Sequence, residues 1–367
     1  MSEESSGRQV IALLGRADSP TDGVQDYCAW LGRALGARGV GLQAVRLPWA
    51  ERGWLGSLRW LRQQSAGWQG HWVLVQYTAL SWSRRGFPLG LLATLRALKG
   101  SGTLCAVVFH DAVGYSGQRL IDRLRRACQH AVMRMAYHWT RRSILTVPLE
   151  KVPWLPARPA KAAFIPVGAN LPELQAEAKA EKPADRAKTV AVFGVTGGQH
   201  TLREAGDIAY AVSRAARLFP ELRLVVLGRD SEEAKDALAR ALNGAQVRLS
   251  VLGLLPAEQI ARTLSVADAL LFVRGQVSSR RGSAIAGIAC GLPVVGYAGS
   301  ETGFPITEAG VVLVRQGDRE ALAEALSRVL ADEAYHRELR ERSRRAQREH
   351  FSWSSIAGRY LELLRHA

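Results

Sequence analysis

The chain has few of the residues that would build a redox centre or a metal staple. Its four cysteines, Cys28, Cys105, Cys128 and Cys290, are scattered, without the close pairs that a zinc site or a dithiol motif needs. Free thiols in a reducing compartment are therefore expected. No Asp-x-Asp triplet is present to hold a divalent ion beside a diphosphate, and no cluster of His, Cys and carboxylates has metal-ligand spacing, so no metal is expected. There is no GxxxxGK(S/T) segment, which removes the first requirement of a P-loop NTPase. The opening MSEESSGRQV lacks the basic start and apolar run of a signal peptide. No stretch approaches the roughly 18 apolar residues of a membrane span. A cytoplasmic location is the expectation.

What is present suits a soluble two-domain protein. The 367 residues, 47% apolar and 22% charged, exceed the size at which single cores stop growing. Charge is uneven: 1–170 hold 22 Lys and Arg against 9 Asp and Glu, while 171–367 hold 27 against 24. A basic half attracts acidic substrates or anionic surfaces over long range. An Arg-rich composition with solvated side chains would produce the same numbers.

Short apolar runs at 10–14 (VIALL), 72–75 (WVLV), 104–109 (LCAVVF) and 144–147 (ILTV) alternate with helical patterns such as 120–138. That alternation predicts a parallel sheet with crossover helices. After 164–167 comes an Ala-, Glu- and Lys-rich stretch, 171–188, which reads as a linker region. A second series then starts at 189–193 (TVAVF) and continues through 222–227, 247–252, 269–272 and 294–297. It predicts a second doubly wound sheet. The expected fold is α/β with two Rossmann-like domains facing a cleft, because ligands of open parallel sheets bind beyond the strand carboxyl ends. The domains are expected at 1–170 and 189–350, with a C-terminal helix, 351–367, crossing back toward the first.

Several loops resemble one family. The runs 165–170 (IPVGAN), 220–228 (PELRLVVLG), 251–272 (VLGLLPAEQIARTLSVADALLF), 288–295 (IACGLPVV) and 351–364 (FSWSSIAGRYLELL) occur in the order found in family 4 glycosyltransferases, glycosyl transferases group 1. The match is weaker in the N-terminal half, where Asp22-Gly23 stands in place of a Gly-Gly loop. The resemblance implies a GT-B fold, retention of anomeric configuration, a nucleotide-sugar donor such as a UDP- or GDP-sugar, and no cofactor or bound metal. It also exposes a departure. Aligned on Ala289-Cys290-Gly291, the family's two glutamates fall at Ser278 and Ala286, so both carboxylates are missing.

Candidate site residues follow from the chemistry of a departing diphosphate. Helix N-termini and Gly-rich loops favour anions, which points to Gly194 and Thr196 after one strand and to Arg280, Arg281, Gly282 and Ser283 at a helix start. Arginine's planar fork suits phosphate oxygens. Glu301, after the next strand, could reach a ribose or sugar hydroxyl in place of a missing glutamate. His110 and Asp111 follow an apolar strand of the first domain and are the catalytic candidates, able to contact a sugar hydroxyl or orient an acceptor. Gly23 joins the donor-binding set by resemblance.

Between 49 and 85 six tryptophans lie among arginines. The pattern fits either a membrane-interface anchor for a glycan or lipid-linked acceptor on an anionic membrane surface, placing the protein at its inner face, or ordinary core packing. No nucleic-acid recognition motif accompanies them, so nucleic acid is not an expected partner. Two other readings stay open: a family member without catalysis that binds sugar nucleotides or glycans as a partner subunit, and another GT-B enzyme such as an epimerase or phosphorylase.

Overall fold

The computed structural model describes residues 9–172 and 187–365. The N-terminal decapeptide read for a signal sequence lies outside them through residue 8, and 173–186 of the expected linker lie outside them too. By internal contacts the chain forms two units, 1–167 with 353–367, and 168–352.

In the first unit, strands β1 (Gln9–Leu14), β2 (Gly41–Arg46), β3 (Trp72–Tyr77), β4 (Leu104–Phe109), β5 (Arg142–Leu145) and β6 (Ala162–Phe164) form one parallel sheet in the order β2-β1-β3-β4-β5-β6. Helices α1 (Gly23–Gly36), α2 (Trp49–Ser65), α3 (Leu89–Lys99) and α4 (Leu120–Trp139) cross between strands. Central β3 is buried along its whole length, as a strand covered on both faces must be. β2 was not predicted. It lies at the sheet edge with none of its six residues buried, and GLQAVR holds no apolar run to detect.

In the second unit, β7 (Thr189–Phe193), α5 (Thr201–Ala216), β8 (Leu222–Leu227), α6 (Lys235–Ala241), β9 (Val247–Val251), α7 (Ala257–Val266), β10 (Ala269–Gln276), α8 (Gly282–Ala289), β11 (Val294–Ala298), β12 (Val311–Arg315), α9 (Arg319–Ala331) and α10 (Glu333–Ala346) follow in turn. The sheet order is β12-β11-β10-β7-β8-β9, all parallel. Edge strand β12 was also missed, although its sequence VVLVR is an apolar run of four residues.

The last helix, α11 (Trp353–Arg365), belongs to the first unit and packs on α1. The division falls at 352/353, and Phe351, just before it, is wholly buried. From there the chain continues into α11, where Tyr360 is buried and its hydroxyl meets that of Tyr27 at 2.8 Å. Among the described residues no helix is long and apolar enough to cross a membrane, and all four cysteines are free thiols.

Candidate functional site

The second sheet reverses direction at β7. Later strands add on one side to β9, then on the other from β10 to β12, which makes the β7/β10 junction a topological switch point. β7 and β10 pair only at Ala269↔Val190 and Leu270↔Ala191, so the strands part toward their carboxyl ends. β10 is also irregular: its ladder with β11 jumps from Phe272↔Gly296 to Gln276↔Tyr297, and Gly275 in the gap has φ +72°. A bulge of this kind re-aims the side chains within it.

The re-aimed side chain is that of Arg274. Its Nη1 stands 2.6 Å from where a Cβ on Gly194 would lie, and Gly194 itself has φ +79°. The positive φ favours glycine there, and the missing Cβ leaves room for the guanidinium. Burial lowers the Arg274 pKa, with Glu204 and Asp230 acting in the opposite sense and Arg229 in the same one. The loop after β7 is tied by carboxylates: the Thr196 N–H donates to Glu204 Oε2 at 2.7 Å and the Gly197 N–H to Asp230 Oδ2 at 3.3 Å. Sequence reasoning missed Arg274, Glu204 and Asp230. Arg274 left a signal, a charge followed by glycine inside the apolar run ALLFVRGQ.

The loops after β10 and β11 are stitched together. Arg280 forks onto Glu301, Nε to Oε2 at 2.6 Å and Nη2 to Oε1 at 2.8 Å, while the Ser278 hydroxyl donates to Oε2 at 3.3 Å. Gln276 Oε1 accepts the Glu301 N–H at 2.7 Å, and the Thr302 hydroxyl donates to the Val277 carbonyl at 2.7 Å. Burial pushes the Glu301 carboxyl up; the Arg280 fork, the charges of Arg280 and Arg281 and the Ser278 hydroxyl outweigh it and hold the pKa below its ordinary 4.5. The structure thus brings Arg280 and Glu301 together as one ion pair. Beside them Arg281 occupies the N-cap position of α8 without a side-chain cap, and Gly282 and Ser283 form the first turn, whose leading N–H groups have no intrahelical acceptor.

The first unit holds the remaining candidates. His110, buried just beyond β4, meets Gln76 Oε1 through Nε2 at 2.9 Å. The Gln76 amide nitrogen donates to the Leu74 carbonyl at 3.2 Å, so its oxygen faces the imidazole and His110 Nε2 carries a proton. The Tyr27 ring stands edge-on to His110 at 4.9 Å and to Trp353 at 5.2 Å. Asp111 is half-buried next to it. Gly23 begins α1, exposed, with open space where a Cβ would go. That helix start is already capped, since Asp22 accepts from the Val24 and Gln25 N–H groups and pairs with Arg46 at 2.9 Å.

The buried Tyr27–Tyr360 pair has a measurable consequence. Tyr360→Phe strands the other hydroxyl and is expected to cost about 1–2 kcal/mol, whereas adding Tyr27→Phe recovers part of that loss. Urea midpoints of the two single variants and the double variant check this.

The six tryptophans are buried or half-buried: Trp49 stacks on Trp54 at 4.8 Å, Trp54 lies 6.5 Å from Trp82, and Trp60, Trp68 and Trp72 pack into the core. Trp49, Trp54 and Trp82, with Arg84, Arg85 and exposed Leu89, line a groove of about 550 Å³ at the carboxyl ends of β2 and β3. Gly90 has to be glycine because the Trp54 ring occupies the place of its Cβ.

Residues 191–332 match the family described as Glycosyl transferases group 1. No curated protein matches the chain in sequence. Among solved structures, sucrose-phosphate synthase from Thermosynechococcus elongatus aligns with TM-score 0.69 at 22% identity over 98% of this chain and 99% of that one. Anabaena HepE in complex with UDP and glucose aligns with TM-score 0.69 at 12% identity over 98% and 100%. WaaG, a glycosyltransferase involved in lipopolysaccharide biosynthesis, aligns with TM-score 0.66 at 13% identity over 98% and 100%. At these identities the likeness is one of fold. The chain therefore has the GT-B fold, and residues 191–332 of its second unit are similar to the glycosyl transferases group 1 family.

Proposed function

We propose that the protein is a retaining glycosyltransferase that moves a sugar from a nucleotide-sugar donor to a glycan or lipid-linked acceptor. The bond from the anomeric carbon to the diphosphate breaks, and the diphosphate leaves with the electron pair. A bond from that carbon to an acceptor oxygen forms, and the acceptor proton passes to the departing phosphate. The observation that carries the reading is the parted β7/β10 switch point with Arg274 against Gly194, next to the open first turn of α8 at Gly282 and Ser283. A buried cation and free helix N–H groups stabilise a leaving diphosphate. Arg281 adds charge there, and the Arg280–Glu301 pair holds the loop and offers carboxylate edges to donor hydroxyls. The binding of UDP and glucose by HepE is in keeping with this donor class. On the first unit, His110 and Asp111 contact the sugar or orient the acceptor hydroxyl. The indole-walled groove with Arg84 and Arg85 suits an amphipathic, phosphate-bearing acceptor at an anionic membrane surface.

A specific observation also favours a second reading, a non-catalytic sugar-nucleotide or glycan-binding subunit. Ser278 and Ala286 stand where the family has glutamates, and the Thr196 and Gly197 amides are held by internal carboxylates.

The test is a thermal-shift and turnover panel of UDP, GDP, ADP, CMP and dTDP sugars on the parent and on Arg274→Ala. One nucleotide sugar is expected to stabilise the parent, to turn over, and to bind about tenfold more weakly in the variant. Stabilisation without transfer or hydrolysis would favour the second reading. No stabilisation by any donor would overturn both.

A further inference from the structure

We propose that the outward face of α4 docks the first unit on an anionic lipid surface, an apolar stripe entering the interface while a parallel arginine stripe meets phosphate headgroups. The proposal rests on the reading that the acceptor lies at such a surface, and it names the element that meets it.

α4 turns apolar residues both inward and outward. Val132, Met133, Ala136 and Tyr137 enter the core of the first unit. Leu120, Leu124, Ala127, Ala131 and Met135 are exposed. They follow one another at intervals of four, three, four and four residues, the spacing of a single helix face. Leu120 is 81% exposed, Leu124 59%, Met135 40% and Trp139, in the last turn, 45%. From Leu120 to Met135 the stripe runs about 22 Å along the axis. α10 shows how a face turned to water is composed in this chain: besides Ala334 its exposed residues are Glu333, Arg337, Glu338, Glu341, Arg344 and Arg345. Large apolar side chains gathered outward within a polar rim mark an interaction surface.

One position before each member of the apolar stripe stands a basic residue: Arg119, Arg123, Arg126, His130 and Arg134. The same intervals make them a second stripe along the flank of the first. The one acid of the helix, Asp122, is buried and pairs with Arg125 at 3.0 Å. Arg126 donates to the Tyr115 carbonyl and Arg134 to the Trp154 carbonyl, each at 3.3 Å, contacts that aim a guanidinium without balancing its charge. Among the described residues, none of Arg119, Arg123, Arg126 and Arg134 has a carboxylate partner. The occupant therefore has to bring negative charge. A second copy pairing through the same face would set arginine against arginine and add no free acid. Anionic headgroups supply the charge, and a straight stripe matches a plane. Arginine stems can lie along the interface while their forks reach phosphate oxygens. On its inner side the helix is tied to the loop after β3: Arg125 Nε donates to the Arg85 carbonyl at 3.1 Å and Gln129 Nε2 to the Gly86 carbonyl at 2.8 Å. The docking face and the indole-walled groove are thus fixed to one another.

The experiment is co-flotation of the full chain with vesicles of mixed phosphatidylglycerol and phosphatidylcholine, against phosphatidylcholine alone. Three proteins are compared: the parent, Arg119→Gln/Arg123→Gln and Leu120→Gln/Leu124→Gln, whose changed residues are all exposed. The parent is expected to bind the mixed vesicles, more weakly at high salt, and to stay free of phosphatidylcholine. Loss of the two arginines should weaken binding about 25-fold, roughly fivefold per cation beside an anionic surface. Loss of the two leucines should weaken it about tenfold or more, in both cases without a change in melting temperature. A parent that does not float with the mixed vesicles would overturn the proposal, as would equal binding to both vesicle types or parental binding in both variants. A parent dimer that becomes a monomer in the leucine variant, without vesicle binding, would assign the face to a second copy instead. No donor takes part in the measurement, so vesicle binding without sugar turnover would leave this proposal standing while sinking the transfer reading, and the reverse result would do the opposite.

Discussion

Replacing Gly310 with alanine is expected to destabilise the second unit by about 3 kcal/mol or more, the upper range for overpacking. Gly310 immediately precedes β12, and its carbonyl accepts the Val294 N–H at 2.9 Å. A Cβ there would fall inside the Leu339 carbonyl and the Ser343 hydroxyl of α10. The obstacle is backbone, not the movable end of a side chain. Ser343 is also committed, its buried hydroxyl donating to the Leu292 carbonyl at 2.7 Å. The helix can make room only by withdrawing, which exposes Leu339 and Ala346 from the core it covers. Urea denaturation checks the size of the loss, and a midpoint unchanged from the parent would contradict the close approach.

Glu301→Gln is expected to cost about 2–3 kcal/mol and to loosen the site at the same time. Removing one partner of a buried ion pair leaves the other charge uncompensated, a loss of about 3–5 kcal/mol when both are fully buried. Here the Arg280 side chain keeps 19% exposure and Glu301 5%, so water softens the penalty. The pH dependence has a definite sign. The folded-state pKa of Glu301 is depressed, so the pair's contribution is complete above the unfolded value near 4.5 and is lost as pH falls through the lower folded value. The parent should therefore show an acid-side decline in melting temperature that the glutamine variant lacks in part. Because the Glu301 carboxylate also accepts from the Ser278 hydroxyl, the turn leading to α8 should lose definition, and donor affinity should fall further than stability alone implies.

The buried half of the fold was legible and its margins were not. The runs 104–109, 189–193 and 222–227 coincide with β4, β7 and β8, interior strands that are apolar but for Thr189 and Arg223, as sheet interiors favour. β2 and β12 lie at sheet edges; GLQAVR in β2 offers no apolar run, whereas the VVLV of β12 is a short apolar run that the reading passed over. β5 runs two residues earlier than expected, at Arg142–Leu145. Its first residue is an arginine, and a charge at a strand's entrance does not read as strand.

For the site, sequence order located the loops but not the partners. Arg280 and Glu301 were singled out separately, as a phosphate ligand and a hydroxyl ligand, whereas the fold joins them across 21 positions. No local pattern announces such a pairing. Arg274 escaped because its position depends on a bulge in β10 and on the departure of β7 from its neighbour, both of them tertiary facts.

The docking of α11 also has a consequence for the order in which the protein takes shape. Residues 353–365, which complete the first unit, follow the entire second unit in the sequence. During vectorial synthesis the second unit, continuous in sequence, can close while the first still waits for Tyr360 to reach Tyr27 and for Trp72 Nε1 to find the Leu364 carbonyl. Such sequence-distant contacts form late and slowly. The surroundings of His110, which rest on Tyr27, are thus finished last, so a chain cut short after the second unit would retain that unit while the first stayed unlatched.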